Sequence, residues 1–168
     1  MTTAEERYVH FVECIQSLNT AWRILTELGS VSPGVVRGAA YRMALVEYAK
    51  PYKASYGNHS RGARPYVLTT PQLSATDLAL HERILNLRDK VLAHSDLTLK
   101  DAVVYASRVQ DQPLVGVASN YPPSFPDVES VVRLIEHTLD AMYIELDQLE
   151  DMLSRQRVSD TAARHSSQ

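Results

Sequence analysis

The last third of the chain carries the pattern that most restricts its fold. Apolar side chains recur there at every third or fourth position: Val128, Val132, Ile135, Leu139, Met142, Leu146, Leu149 and Leu153. This near-heptad spacing places all of them along one side of an α-helix, and Asp127 can cap the N-terminus of that helix. A helix of this kind buries its stripe against other helices, so the pattern predicts a helical bundle.

Three earlier segments have the same helical periodicity. The first runs from about Thr3 to Leu28, with a stripe at Tyr8, Phe11, Ile15, Leu18, Trp22 and Leu25. The second runs from about Gly34 to Ala54 and should kink or end at Pro51, which lacks a backbone donor. The third begins near Ser74 or Thr76, either of which can cap it. Because the third segment has a broad apolar face, we expect it to be the most buried helix.

Between the third and fourth segments the period shortens. Residues 102–109 and 114–118 are rich in β-branched residues and flank a turn-like segment at 110–113, which predicts a β-hairpin. The predicted fold is therefore all-α: an antiparallel four-helix bundle with a small β-hairpin insertion before the last helix. We assign residues 1–158 to one helical domain and 159–168 to a polar, disordered tail. The alternative is a helical dimerisation module whose last helix extends into a coiled coil.

Composition excludes several classes of protein. The net charge of −3 does not favour general binding to nucleic acids or membranes, and no apolar run approaches 18 residues. No signal peptide is evident, and the single cysteine, Cys14, is expected to be a buried hydrophobe, so a cytoplasmic location is the simplest inference. The histidines are scattered without ligand spacing. We therefore predict neither a metal site nor a cofactor.

Basic and aromatic residues are concentrated in one segment. Between Arg37 and Tyr66 there are six basic residues, one acid and five of the nine tyrosines, whereas residues 127–151 hold eight acids and one base. One interpretation is a strip that binds single-stranded RNA through cations such as Arg42, Lys50 and Lys53 and through stacked tyrosines. The other interpretation is that the tyrosines fill the core and the charges are merely solvated.

The candidate active site is the end of the third segment, from Arg88 to His94. Arg88 lies on an apolar stripe, where a charge needs a partner, and Asp89 and Asp96 are near enough in sequence to supply one. The other members of this stripe are Leu78, His81, Leu85 and Leu92. On a regular helix Arg88 and His94 are about 120° apart, so they share a site only at a cleft edge or across a helix break. The alternative is that His94 caps the helix and Arg88 is simply paired with an acid.

Arg88-Asp89, four further residues and His94 resemble the signature of the HEPN superfamily, particularly its branch associated with abortive infection in bacteria. Residues 46–53 are similar, more loosely, to the second helix of that branch, and the likeness extends over about residues 5–155. The chain departs from this pattern in its hairpin and in Asp89, where many relatives have asparagine.

This resemblance implies a homodimer in which two motifs face each other, often as a metal-independent endoribonuclease that acts as a toxin or phage-defence effector. The implied catalytic residues are Arg88, His94 and Asp89, with RNA as the substrate, Lys90 as a further RNA-binding residue and an antitoxin protein as a candidate partner. The imidazole would move protons and the guanidinium would bind the phosphate. The alternatives are a non-catalytic module that binds RNA or a nucleotide, and a structural dimerisation module.

Overall fold

The computed structural model describes residues 2–58, 65–92, 102–109, 112–119 and 125–165. Within these ranges the chain is mainly helical. Helix α1 spans Thr3–Glu27, α2 spans Val35–Ala49, α3 spans Ala75–Leu87 and α4 spans Val128–His165. Short 3-10 turns at Leu28–Ser30 and Lys50–Tyr52 follow α1 and α2. Strands β1 (Ala102–Val109) and β2 (Gln112–Ser119) form a hairpin before α4, so the predicted helices and hairpin are confirmed.

The helix ends follow local chemistry. The hydroxyl of Thr2 accepts the backbone N–H of Glu5, whose side chain in turn accepts the N–H of Thr2, which makes a capping box for α1. Ser74 caps α3 by accepting the N–H of Asp77, as predicted. Helix α2 ends just before Pro51, which stands in the following 3-10 turn.

Helices α1 and α4 run antiparallel along most of the length of α1. The hydroxyl of Tyr8 donates to Glu150 at 2.8 Å, and Trp22 Nε1 donates to Glu136 at 2.8 Å. As residue numbers rise along α1, those of the partners on α4 fall. Trp22 was expected to be in the core, but its ring lies near the surface because its N–H reaches an exposed carboxylate.

One core receives side chains from all four helices. Leu18, Leu45, Ile84 and Ile135, from α1, α2, α3 and α4 respectively, are all completely buried in the same cluster. Cys14 is also buried, and burial raises the pKa of its thiol to about 11. This agrees with its predicted role as a small hydrophobe.

The expectation that α3 is the most buried helix is wrong. Its described buried residues are His81, Ile84 and Leu87, whereas α1 buries seven residues. Leu78, which we expected on an apolar stripe, is 43% exposed. The breadth of an apolar face does not by itself specify how much of that face neighbouring helices cover.

Helix α4 continues to His165, through most of the segment that we predicted to be a disordered tail beginning at residue 159. Neither glycine nor proline occurs between Asp127 and His165, and Ala162 and Ala163 are strong helix formers. The helix therefore continues because no residue in this segment breaks it, and polar side chains alone do not interrupt a helix. Residues 166–168 lie outside the described part of the chain.

None of the helices described has a stretch that is long and apolar enough to span a membrane.

Candidate active site

The candidate motif coincides with a change of helix type. Where α3 ends, the chain continues as a π-helical turn over Arg88–Leu92. No proline or glycine lies in this turn, so the sequence gives no signal for it. Single π-helical turns are rare and are found frequently at functional sites. The π-helical turn therefore contains Arg88 and Asp89, the residues with which the sequence motif begins.

Asp89 joins two cations in this turn. Its Oδ1 accepts a hydrogen bond from Arg88 Nη1 at 2.9 Å, and its Oδ2 accepts one from Lys53 Nζ at 2.5 Å. The side chains of Arg88, Lys53 and Asp89 are 31%, 32% and 43% exposed, so all three reach solvent. Arg88 is thus paired with Asp89, one of the two acids that the sequence offered it, and Lys53 joins the pair from a segment 36 residues away.

The electrostatics of this group favour an anion. The hydrogen bond from Lys53 is the largest influence on Asp89 and lowers its pKa. Desolvation opposes this effect, and the weaker hydrogen bond from Arg88 adds to it, so the pKa of Asp89 is lowered overall. Asp89 is consequently ionised at neutral pH and its two oxygens are both engaged. It is therefore suited to positioning Lys53 and Arg88 rather than to moving protons. Two positive charges against one negative leave a net charge of +1 at an accessible surface, which suits a phosphate.

Lys53 is held in place by the turn that follows α2. Its backbone N–H donates to Lys50 O at 3.0 Å, and Leu68 N–H donates to Pro51 O at 2.8 Å. Ser55 and Tyr66 form an antiparallel bridge just beyond. The chain direction at Lys53 is thus fixed on both sides, so the ammonium reaches Asp89 from an ordered backbone.

A buried aromatic cluster ties α2 to α3 about two turns before the motif. The hydroxyl of Tyr48 lies 2.8 Å from His81 Nδ1 in a hydrogen bond, and the ring of Tyr52 meets the His81 ring edge to face at 4.5 Å between centroids. Burial lowers the pKa of His81, so its imidazole is neutral near pH 7. Sequence reasoning missed this cluster because the partners are 33 residues apart and His81 was placed only on an apolar stripe.

The other predicted site residues are not brought into this group. The guanidinium of Arg42 lies 5.8 Å from the centre of the Phe125 ring, and the ammonium of Lys50 pairs with Glu47 on the same helix. Lys90 is exposed within the π-helical turn. His94, the second residue of the motif, lies outside the described residues. So does Ala93, near which a helix break was one of the two ways for Arg88 and His94 to share a site. Arg88, Asp89 and Lys53 are therefore the described part of the site.

Of the two interpretations of the tyrosine-rich segment, the structure supports the one in which the tyrosines fill the core. Tyr48 is completely buried, Tyr52 packs beside it, and the Tyr41 hydroxyl donates to Pro126 O at 2.5 Å while its ring meets Phe125. Tyr66 stacks on His10, and of the five only Tyr56 is mostly exposed. Tyr41 and Tyr48 of α2 pack against the core because they are seven residues apart and so lie on the helix face that meets it.

Within the described ranges no group of three histidine, cysteine, aspartate or glutamate side chains is placed to hold a metal ion. Comparisons of the chain with protein-family models, curated proteins and solved structures found no match. The function has therefore to be inferred from the chemistry of the site itself and from the motif that it contains.

Proposed function

We propose that this protein is a HEPN-like, metal-independent endoribonuclease that works as a homodimer. The observation that supports the proposal is the Arg88–Asp89–Lys53 group. Arg88 and Asp89 lie in a π-helical turn inside an Arg-x5-His motif, and together with Lys53 they present two anchored cations to solvent. The four helices are taken to pack as an antiparallel bundle, and the dimer to bring two such motifs together.

The reaction needs few groups because RNA carries its own nucleophile. The 2′-hydroxyl attacks the adjacent phosphorus, the bond from phosphorus to the 5′-oxygen breaks, and a 2′,3′-cyclic phosphate and a 5′-hydroxyl result. One His94 imidazole takes the proton of the 2′-hydroxyl and the second, from the other subunit, protonates the departing oxygen. Arg88 donates hydrogen bonds to the phosphate oxygens as negative charge develops on them.

Lys53 and Asp89 support this chemistry without transferring protons. The carboxylate of Asp89 restricts the Arg88 guanidinium to one side of the turn, which reduces the number of conformations lost when a phosphate binds. Lys53 adds a second positive charge beside it, and Lys90 adds a third in the same turn. Cellular RNA as the substrate implies a cytoplasmic location, and a toxin or phage-defence role would call for a neutralising antitoxin.

A second candidate function is RNA or nucleotide binding without cleavage. Asp89 accepts hydrogen bonds from both Lys53 and Arg88. Each cation is therefore less free to move toward the phosphate oxygens as negative charge develops on them in the transition state, which favours binding over cleavage. Binding depends mainly on the net positive charge, whereas cleavage depends also on the placement of His94.

The decisive experiment is cleavage of a mixed RNA pool, with the ends of the products analysed for 2′,3′-cyclic phosphate. We expect His94→Ala and Arg88→Ala to lower the rate by at least 100-fold, the range seen when a transition-state donor is removed. Arg133→Ala removes an exposed arginine that contacts Glu129 and Ser130 within its own helix, so it is the matched control and should cleave normally.

Circular dichroism and size-exclusion chromatography would establish that the variants are folded and dimeric. Folded, dimeric His94→Ala protein that cleaves at the wild-type rate would refute the catalytic assignment. Salt-dependent RNA binding by a wild-type protein that does not cleave would establish the binding function instead.

A further inference from the structure

The β-hairpin leaves its apolar side chains uncovered. Every strand residue whose burial is described is exposed, except Gly116. Val104, Val115 and Val117 are 67%, 67% and 64% exposed. Pairing of Val104 with Val117 and of Ala106 with Val115 places these three valines on one face, called here the valine face. Arg108 is the only charged residue in either strand, and it lies on this same face at the turn end of the hairpin, paired with Pro113.

The opposite face is partly covered by the hairpin itself. Tyr105 pairs with Gly116, and a Cβ atom on Gly116 would lie 2.5 Å from the tyrosine ring. Glycine therefore leaves room for the ring to lie across the neighbouring strand, which covers backbone that would otherwise meet water. Val103 and Leu114 on that face are still 61% and 51% exposed. No aromatic ring of the strands lies across the valine face in the same way, and its three valines are more exposed than the apolar side chains opposite, so we take it as the face that requires a partner.

Two observations limit what that partner can be. A two-stranded hairpin is only marginally stable alone in water, and neither outer edge of this one pairs with another described strand. A nucleic acid would need cations, and the strands carry one. The partner surface must therefore be apolar.

The same chain exposes such a surface on α2. Val35, Val36 and Met43 are 89%, 73% and 52% exposed, and Val36 and Met43 are seven residues apart on the same side of the helix. These three residues form what we call the α2 stripe.

We propose that the hairpin is a dimerisation arm whose valine face packs on the α2 stripe of a second copy of this chain. Each of the six side chains exposes roughly 100 Å², so one such contact offers roughly 600 Å² from its two sides. A two-fold dimer makes the contact twice and reaches roughly 1,200 Å², the lower limit for a specific interface. A different partner that received the hairpin alone would reach half of that area, which is why a second copy is favoured.

The arm begins ten residues after the π-helical turn that holds the motif. In sequence, therefore, the arm follows closely on the motif that the proposed function places at the dimer interface. The inference rests on the dimer of the proposed function but not on RNA cleavage.

Sedimentation equilibrium on the full-length chain tests the arm. The variant Val104→Lys/Val117→Glu puts two charges on the valine face and keeps the hairpin through an opposite-charge cross-strand pair. The matched control, Ser107→Lys/Leu114→Glu, makes the same change at a directly paired position on the other face. We expect the first variant to raise the dimer dissociation constant at least tenfold and the control to change it less than threefold.

A cross-link tests the receiving surface. Cysteines at Val36→Cys and Val104→Cys should form a disulfide between chains and yield a species of twice 18.8 kDa on non-reducing electrophoresis, since the native Cys14 is buried. A dimer that both charge variants weaken equally, or that neither weakens, would overturn the arm while the proposed function stands. A wild-type protein that is monomeric at high micromolar concentration would overturn the arm and the dimer of the proposed function together.

Discussion

Replacing Tyr48 and Tyr52 separately by phenylalanine should give very different losses of stability. The two rings pack together, 5.5 Å apart, beside His81. The hydroxyl of Tyr48 is hydrogen bonded to His81 Nδ1. The buried hydroxyl of Tyr52 lies near those of Thr138 and Tyr48, which act to lower its pKa, but it makes no well-formed hydrogen bond with any described residue. Each substitution thus removes one hydroxyl oxygen from the same cluster, but only the Tyr48 hydroxyl leaves a hydrogen-bonded partner behind.

The expected magnitudes follow from this difference. Tyr48→Phe leaves the buried His81 nitrogen without a partner, which costs about 1–3 kcal/mol, and at about 2 kcal/mol the Tm should fall by about 4–8 °C for a chain of this size. Tyr52→Phe removes a hydroxyl that was desolvated without compensation, so stability should change by less than about 0.5 kcal/mol or should rise.

Urea unfolding followed by circular dichroism would measure both free energies. Tyr143→Phe, which loses only an exposed hydrogen bond with Asn19, is a further control and should cost less than about 1 kcal/mol. The reasoning fails if Tyr52→Phe destabilises the protein as much as Tyr48→Phe does, or if Tyr48→Phe is neutral.

Three other outcomes are expected. Lys53→Met should raise the pKa of Asp89 toward 3.8 in a carboxyl NMR titration, whereas Lys50→Met should leave it unchanged; equal titration curves for the two variants would remove Lys53 from the site. Burial lowers the pKa of His81, so the unfolded chain binds its proton more readily and stability should fall as the pH drops through about 6.5; an NMR titration that gives His81 a pKa of 6.5 or higher would contradict this. Cys14, with its pKa raised to about 11, should react with a disulfide reagent at pH 8 far more slowly in the folded protein than in urea, and equal rates would show that it is accessible.

The sequence determined the elements of this fold because their causes are local. Apolar spacing of three and four located the helices, Ser74 and Pro51 located two of their ends, and β-branched residues around a turn located the hairpin. The motif drew attention to Arg88 and to its pairing with Asp89, since neighbours in sequence are neighbours in space. The boundary of α4 was misjudged because polar composition indicates solvation and does not by itself end a helix.

Contacts between distant segments were decided only by the tertiary structure. Nothing in the spacing of Lys53 and Asp89, or of Tyr48 and His81, indicates that they meet, because those pairs depend on how α2 and α3 are packed. Packing also decided that the tyrosines of α2 face the core and that α3 keeps Leu78 exposed. A periodic pattern specifies which side chains share a face, but burial of that face depends on the surfaces that other parts of the chain bring against it.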